Sequence, residues 1–222
     1  MGKRAVVVGA TGAVGSALVS QLLASPAWAH VTTVGRRAGP PPPSDLAHKL
    51  AQTVVNMDAL VAEGAPAFAG ADVAFCTLGT KRRIAGSAEG YIKVDLTYVA
   101  EAAKAAKAAG VRHFSLVTSK GASTWLPASH FVGLHPLLYL HTKGRAEEAV
   151  KAQGFERVSI LRPGVLQRTA AAPAGGLLPS IKVADVARAM VADAERPADK
   201  AVGVLEMGAI QALAKVQAAK GA

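Results

Sequence analysis

Short apolar runs and longer amphipathic stretches alternate along almost the whole chain. Runs of β-branched and other apolar residues at 5–8, 31–34, 53–55, 73–77, 114–117 and 158–161 predict six strands. Between and after them, apolar positions recur at helical spacing over 16–23, roughly 88–108, 137–152 and 183–194. A last amphipathic stretch lies near 209–219. Strand and helix alternating at this size predict an α/β fold with a parallel, doubly wound sheet flanked by helices. Right-handed crossovers would gather the loops that follow the strands on one edge, where such sheets bind ligands. The strands read as continuous apolar runs, as expected of a sheet buried on both faces.

Composition narrows the picture. A chain of 222 residues with 51% apolar residues fits one domain over 1–222, with a small substrate-side region near 165–182. No apolar run is long enough to cross a membrane. The first strand begins at about residue 4, which leaves no room for a signal or transit peptide. A lone cysteine, Cys76, cannot form an internal disulfide, so a reducing, cytoplasmic setting is expected, with Cys76 as a buried structural thiol. The net charge of +10 suits anionic ligands, nucleic acid or a membrane surface. Its basic residues are dispersed, and no zinc-finger, RNA-recognition or basic-helix signature is present, so specific nucleic-acid binding is not expected. No metal site is expected either. The prolines at 40–43 read as a stiff connector, and 169–176 as a flexible stretch at the substrate end.

The first predicted strand runs directly into Gly9-Ala10-Thr11-Gly12-Ala13-Val14-Gly15 and then into a helix. Glycines between a strand and a helix allow a tight turn, close approach of backbone to a pyrophosphate, and close helix packing. The amide groups of Thr11 to Val14 would then face phosphate charge. At the end of the second strand, Gly35-Arg36-Arg37 stands where an acid would bind the ribose hydroxyls of NAD. Two guanidiniums there fork onto a 2′-phosphate, which favours NADP(H). Asp58, after the third strand, is expected near the adenine. Leu78-Gly79-Thr80, after the fourth, is expected to pass beneath the cofactor, with Lys81, Arg82 and Arg83 adding positive charge.

A second constellation is Tyr139-x-x-x-Lys143 at the head of a predicted helix. Residues four apart share a helix face, so an ammonium can lie beside the phenol. A positive neighbour lowers a tyrosine pKa from about 10 and suits it to proton transfer at a carbonyl or carbinol oxygen. The fifth strand ends in Thr118-Ser119, and a hydroxyl there can hydrogen-bond the substrate oxygen.

These motifs, with Val94-Asp95-Leu96-Thr97-Tyr98 and Arg162-Pro163-Gly164, resemble the short-chain dehydrogenase/reductases in their extended or atypical branch. Within it, Cys76-Thr77-Leu78-Gly79-Thr80-Lys81, Thr118-Ser119-Lys120-Gly121-Ala122 and Tyr139-Leu140-x-Thr142-Lys143-Gly144 are similar to the Tat-interacting-protein family of oxidoreductases. The resemblance implies a Rossmann-type fold, bound NADPH, and Ser119, Tyr139 and Lys143 in the catalytic positions. Lys143 would also hold the nicotinamide ribose hydroxyls, and Pro163 would lie at the cofactor. The chain departs from many extended members in carrying Asp95 in place of an asparagine, and in a short loop after Gly164. Two functional classes follow. One is an NADPH-dependent oxidoreductase acting on a carbonyl or hydroxyl of a small molecule. The other is a non-catalytic NADPH-binding regulatory protein, with a homodimer or a protein partner as its setting. Sugar-nucleotide epimerisation fits less well, since little chain remains for a C-terminal substrate domain.

Overall fold

A computed structural model describes residues 2–126, 135–168 and 179–220. Seven parallel strands form one sheet in the order β3-β2-β1-β4-β5-β6-β9. They are β1 (Lys3–Val8), β2 (Trp28–Gly35), β3 (Leu50–Val54), β4 (Val73–Cys76), β5 (His113–Val117), β6 (Arg157–Leu161) and β9 (Val202–Leu205). A separate parallel pair, β7 (Val165–Gln167) and β8 (Ser180–Lys182), follows β6.

The helices divide between the two faces of the sheet according to the alternation within each strand. Ala5 and Val7 of β1 point to one side, where they pack with Leu18 and Leu22 of α1 (Ala13–Ala24) and with Met190 of α7 (Val183–Glu195). The last helix, α8 (Met207–Lys220), adds Ile210 and Ala214 to that layer. Val6 and Val8 point to the other side, against Leu60 of α2 (Leu60–Gly64) and Val99 and Ala102 of α5 (Tyr98–Ala108). Ala146 and Val150 of α6 (His135–Lys151) complete that layer. Ala102, Ala103, Ala105 and Ala106 are all fully buried, and their small side chains let α5 lie close on the sheet. Both faces of the sheet are therefore dry, which is why its strands read as unbroken apolar runs.

Two expectations are corrected here. The sheet has a seventh strand, β9, that the sequence reading did not include, and β3 starts at Leu50, ahead of the expected 53. The single helix expected over 88–108 is composite. A separate short helix, α3 (Arg82–Ala85), precedes the span, which consists of a short helix, α4 (Ala88–Ile92), a π-helical turn at Lys93–Thr97 and then α5. One extra residue per turn rotates the chain there, as is common at functional positions. The expected flexible stretch at 169–176 lies outside the described residues, and the flanks of the expected substrate-side region form β7 and β8.

Candidate functional site

β1 and β4 are neighbours in the sheet although their crossovers leave in opposite directions. The loops after them open a crevice at the carboxyl edge, the place where open α/β sheets bind ligands. One wall is the glycine turn. Gly9 has φ +88°, and a Cβ there would lie 3.0 Å from the Leu78 nitrogen and the Thr77 carbonyl carbon. A Cβ on Gly15 would collide with the Gly9 oxygen, so only glycine lets α1 start this close to β1. Gly12 closes the turn with its N–H on Gly9 O at 3.0 Å and serves as the N-cap of α1. It offers no side-chain cap, and no acid occupies the first turn. The first amides of α1 thus lack a side-chain acceptor and suit an anion. The opposite wall is braced to the turn by Thr77, whose hydroxyl donates to Val8 O at 3.2 Å and Gly9 O at 3.1 Å.

A cavity of about 720 Å³ runs along this crevice. Gly9, Thr11, Gly12, Ala13 and Val14 line it on the α1 side, and Arg36 and Arg37 at the end of β2. Leu78, Gly79 and Thr80 line it after β4, and Tyr139 and Lys143 from α6. These residues, expected from sequence to share one site, therefore do so. Gly15 acts on the site indirectly, through the close packing just described.

Three expected residues are placed elsewhere. Asp58 does not line the cavity. Its half-exposed carboxylate pairs with Lys93 Nζ at 2.7 Å and accepts the Tyr98 hydroxyl at 3.0 Å, and these hydrogen bonds hold it below the usual carboxylate range. Its neighbour Met57 lines the cavity instead. Ser119 lies just outside the lining, with its hydroxyl 3.4 Å from Lys120 O, while Thr118 is part of the lining. Pro163 is buried beside the site, where its carbonyl accepts the Lys120 N–H at 2.9 Å and ties the loops after β5 and β6 together.

The end of the cavity beside Tyr139 is built on a buried ion pair. Asp95 sits on the π-turn, and its Oδ1 is 2.7 Å from Lys143 Nζ, with both side chains almost wholly shielded from solvent. The other carboxylate oxygen accepts the Thr80 N–H at 2.8 Å, and Lys143 also donates to Leu78 O at 3.3 Å. One carboxylate thus fixes both the lysine and the loop after β4. Burial is the largest single influence and would lower the Lys143 pKa, but the charge and hydrogen bond of Asp95, with smaller contributions from Tyr139 and Cys76, together outweigh it and hold the ammonium above its ordinary 10.5. Tyr91, whose ring centroid is 6.2 Å from that of Tyr139, is held protonated by burial and by the same carboxylate. Burial pushes the Cys76 thiol up to about 11, so it stays an uncharged structural group, as expected.

One turn below Lys143 on α6, Glu147 accepts the Thr118 hydroxyl at 2.7 Å and Arg162 Nε at 2.9 Å. Tyr139, Lys143 and Glu147 stand at i, i+4 and i+8, a single face of one helix. Sequence reading missed Glu147, although that spacing was available to find it. Asp95 as the partner of Lys143 carried no local signal, because the two are far apart in the chain. Among the described residues no group of His, Cys, Asp and Glu is placed to hold a metal ion, and no helix is long and apolar enough to cross a membrane.

A doubly wound parallel sheet with a glycine turn and a cavity at its switch point defines a Rossmann-type nucleotide-binding protein. A family model described as NAD(P)H-binding matches residues 9–197. Protein HTATIP2 of Rattus norvegicus is 37% identical over 96% of this chain and 90% of its own length. The mitochondrial protein fmp52 of Emericella nidulans is 36% identical over 76% of this chain and 70% of its own. The chain belongs to the NAD(P)H-binding family, in the HTATIP2-like branch of the atypical short-chain dehydrogenase/reductases. Solved structures support the fold. A putative NAD-dependent epimerase/dehydratase from Bacillus halodurans superposes with a TM-score of 0.72 at 22% identity, covering 97% of this chain and all of that one. MoeE5 in complex with UDP-glucuronic acid and NAD superposes with a TM-score of 0.72 at 19% identity, covering 92% of this chain and 76% of that one.

Proposed function

We propose that this protein is an NADPH-dependent oxidoreductase that interconverts a carbonyl and a hydroxyl on a small molecule, with Tyr139 as the proton donor and acceptor. The observation that carries this reading is that Tyr139 and Lys143 line the same cavity as the glycine turn and Arg36-Arg37. The residues present fit the dinucleotide. The turn is a cradle that a Cβ would fill, the first amides of α1 have no side-chain cap, and the two guanidiniums that line the cavity after β2 would suit a 2′-phosphate. When bound, NADPH would supply hydride chemistry at the carbonyl carbon.

The chain's own residues handle the proton. Tyr139 gives its phenolic proton to the carbonyl oxygen and takes it back in the reverse direction. The Lys143 ammonium, held charged and in place by Asp95, favours the phenolate left behind. At the end of β5 a hydroxyl, Ser119 by resemblance or Thr118 by its place in the lining, meets the substrate oxygen. Thr118 donates its own hydrogen to Glu147, so in that role it acts as an acceptor and suits the alcohol form of the substrate. The single buried thiol suits a reducing compartment. The cytoplasm expected from sequence and the mitochondrion named for the fungal relatives are separable by fractionation.

The test is a carbonyl screen that follows NADPH oxidation, with NADH as control. Tyr139→Phe should lower turnover by roughly 10²- to 10⁴-fold while NADPH still binds. Full activity in that variant would overturn the assignment. Tighter binding of NADH than NADPH would overturn the choice of cofactor.

A further inference from the structure

We propose that the substrate of this site carries an anionic group, a carboxylate or a phosphate, and that Arg168 anchors it. The inference rests on the oxidoreductase reading above and names the class of molecule that site takes.

Five cations and one carboxylate line the cavity. The carboxylate, Asp95, is already paired with Lys143, and among the described residues no ion pair involves Arg36, Arg37, Lys81 or Arg168. Arg36 and Arg37 follow β2 and lie at one end of the crevice. Arg168 follows β7, which continues from β6, and the strand order puts β2 and β6 on opposite sides of the β1–β4 pair. Tyr139 and Lys143, on the helix between β5 and β6, face the cavity on the Arg168 side. Lys81, on the loop after β4, belongs to the middle of the crevice.

The placement of Arg168 is built into the fold. Leu166 and Arg168 are two residues apart, so they point to the same side of the extended chain, and both line the cavity. The pair β7–β8 holds this segment by the register Leu166 with Ile181 and Gln167 with Lys182, and Gln167 Nε2 donates to Ser180 Oγ at 2.7 Å. Among the described residues, no ion pair involves Arg168; Asp95 is committed to Lys143, and Glu147 and Glu206 to Arg162. Residues 127–134 and 169–178 contain no aspartate or glutamate, so the undescribed segments supply no side-chain counter-ion.

The dinucleotide does not need this cation. Its 2′-phosphate would be met by Arg36 and Arg37 and its pyrophosphate by the amino end of α1. An unpaired guanidinium at the far end both draws an anion toward the cavity and forks onto a carboxylate or phosphate in a fixed orientation. That contact would orient a substrate's carbonyl relative to Tyr139, with Leu166 packing beside its carbon chain.

The experiment compares wild type with Arg168→Gln, each as the full chain saturated with NADPH. Two matched pairs are assayed: a 2-keto acid against its methyl ester, and dihydroxyacetone phosphate against dihydroxyacetone. Wild type is expected to favour the charged member of one pair by roughly 10- to 100-fold in kcat/KM, the worth of one charge-assisted hydrogen-bonded contact. The pair that shows it tells carboxylate from phosphate. Arg168→Gln should bring that ratio close to one, while NADPH affinity stays within about twofold, as for a distant site. Preference for the neutral member in both pairs, or a ratio that survives Arg168→Gln, overturns the proposal.

A second readout needs no turnover. Calorimetric titration of the NADPH complex of Tyr139→Phe with oxalate and with inorganic phosphate should show binding of one of them, weakened about tenfold or more by adding Arg168→Gln. Failure of both to bind overturns the anion site. If oxalate or phosphate binds but no carbonyl compound is turned over, the anion site stands and the oxidoreductase reading falls.

Discussion

Two of the buried carboxylates in this molecule do opposite things. Asp95 lies at the carboxyl edge of the sheet, paired with Lys143 at 2.7 Å and facing a large cavity. Asp193, fully buried on α7, is paired with Arg157 at 3.0 Å and Arg196 at 2.9 Å. It sits by the amino ends of β5 and β6, where His113 Nε2 lies 3.9 Å away and shares a 2.9 Å hydrogen bond with Ser159. Arg157 also donates to the Asp193 and Arg196 carbonyls, so this cluster fastens α7 to the start of β6. Burial of a charge does not by itself mark a site. Its position relative to the carboxyl ends of the strands decides whether it meets a ligand or closes a helix end.

The largest expected effect that separates the two is on stability. Asp193→Ala leaves the Arg157 guanidinium without its carboxylate, while Arg196 keeps only the exposed Asp199, and should cost about 3–5 kcal/mol in urea unfolding with NADPH affinity little changed. A loss of cofactor binding without loss of stability would erase the distinction. Asp95→Asn should do the converse. It keeps the shape but frees Lys143 and weakens the tie to Thr80, so turnover should fall by roughly 10²-fold, about 2.7 kcal/mol, with a smaller change in melting temperature.

The two clusters should also fail at opposite ends of the pH scale. His113 is held well below 6.5, first by burial and then by the charge of Arg157, so the native state refuses a proton that the unfolded chain accepts. Stability should therefore fall as pH drops below 6.5, by at most about 1.4 kcal/mol per pH unit for this group. His113→Asn should flatten that limb. Lys143 is held above 10.5, so its pairing stabilises the protein fully below that pH and loses its effect only as pH rises through the raised value. Stability curves of wild type and Asp95→Asn should hence run parallel near neutrality and converge in alkali. The smallest effect is expected at the far end of the crevice. Arg36→Ala leaves Arg37 in place and should reduce the preference for NADPH over NADH by about tenfold, near 1.4 kcal/mol, measured by titration of both cofactors.

The contrast between these regions also explains what the amino-acid sequence disclosed. Much of what depended on local order was legible. The strand-to-glycine turn, Arg36-Arg37 after β2 and the Tyr139–Lys143 spacing each lie within one element and its loop, and all of them line one cavity. Pairings between distant segments were not. Asp95 meets Lys143 only because α4 passes into α5 through a π-turn, and one inserted residue leaves the apolar period of the flanking helices almost unchanged. Arg168 reaches the cavity only through the β7–β8 pair, three residues long on each side, which is too short to show alternation. β9 was missed for a related reason. It is a four-residue edge strand, Val202-Gly203-Val204-Leu205, with a glycine inside and two half-exposed valines, so its pattern resembles a loop.

The bare start of α1 has a consequence for motion. Gly12 leaves the first turn of that helix without a side-chain cap, and such a turn opens more readily than the helix behind it, where Leu18 and Leu22 are fully buried. The phosphates of a dinucleotide would serve as the missing cap. Hydrogen exchange at the amides of Ala13 to Gly15 should then slow sharply on loading while those of Leu18 to Leu23 barely change. Occupancy of the cofactor could be followed inside the folded protein from a few amides, with no need for turnover or a known substrate.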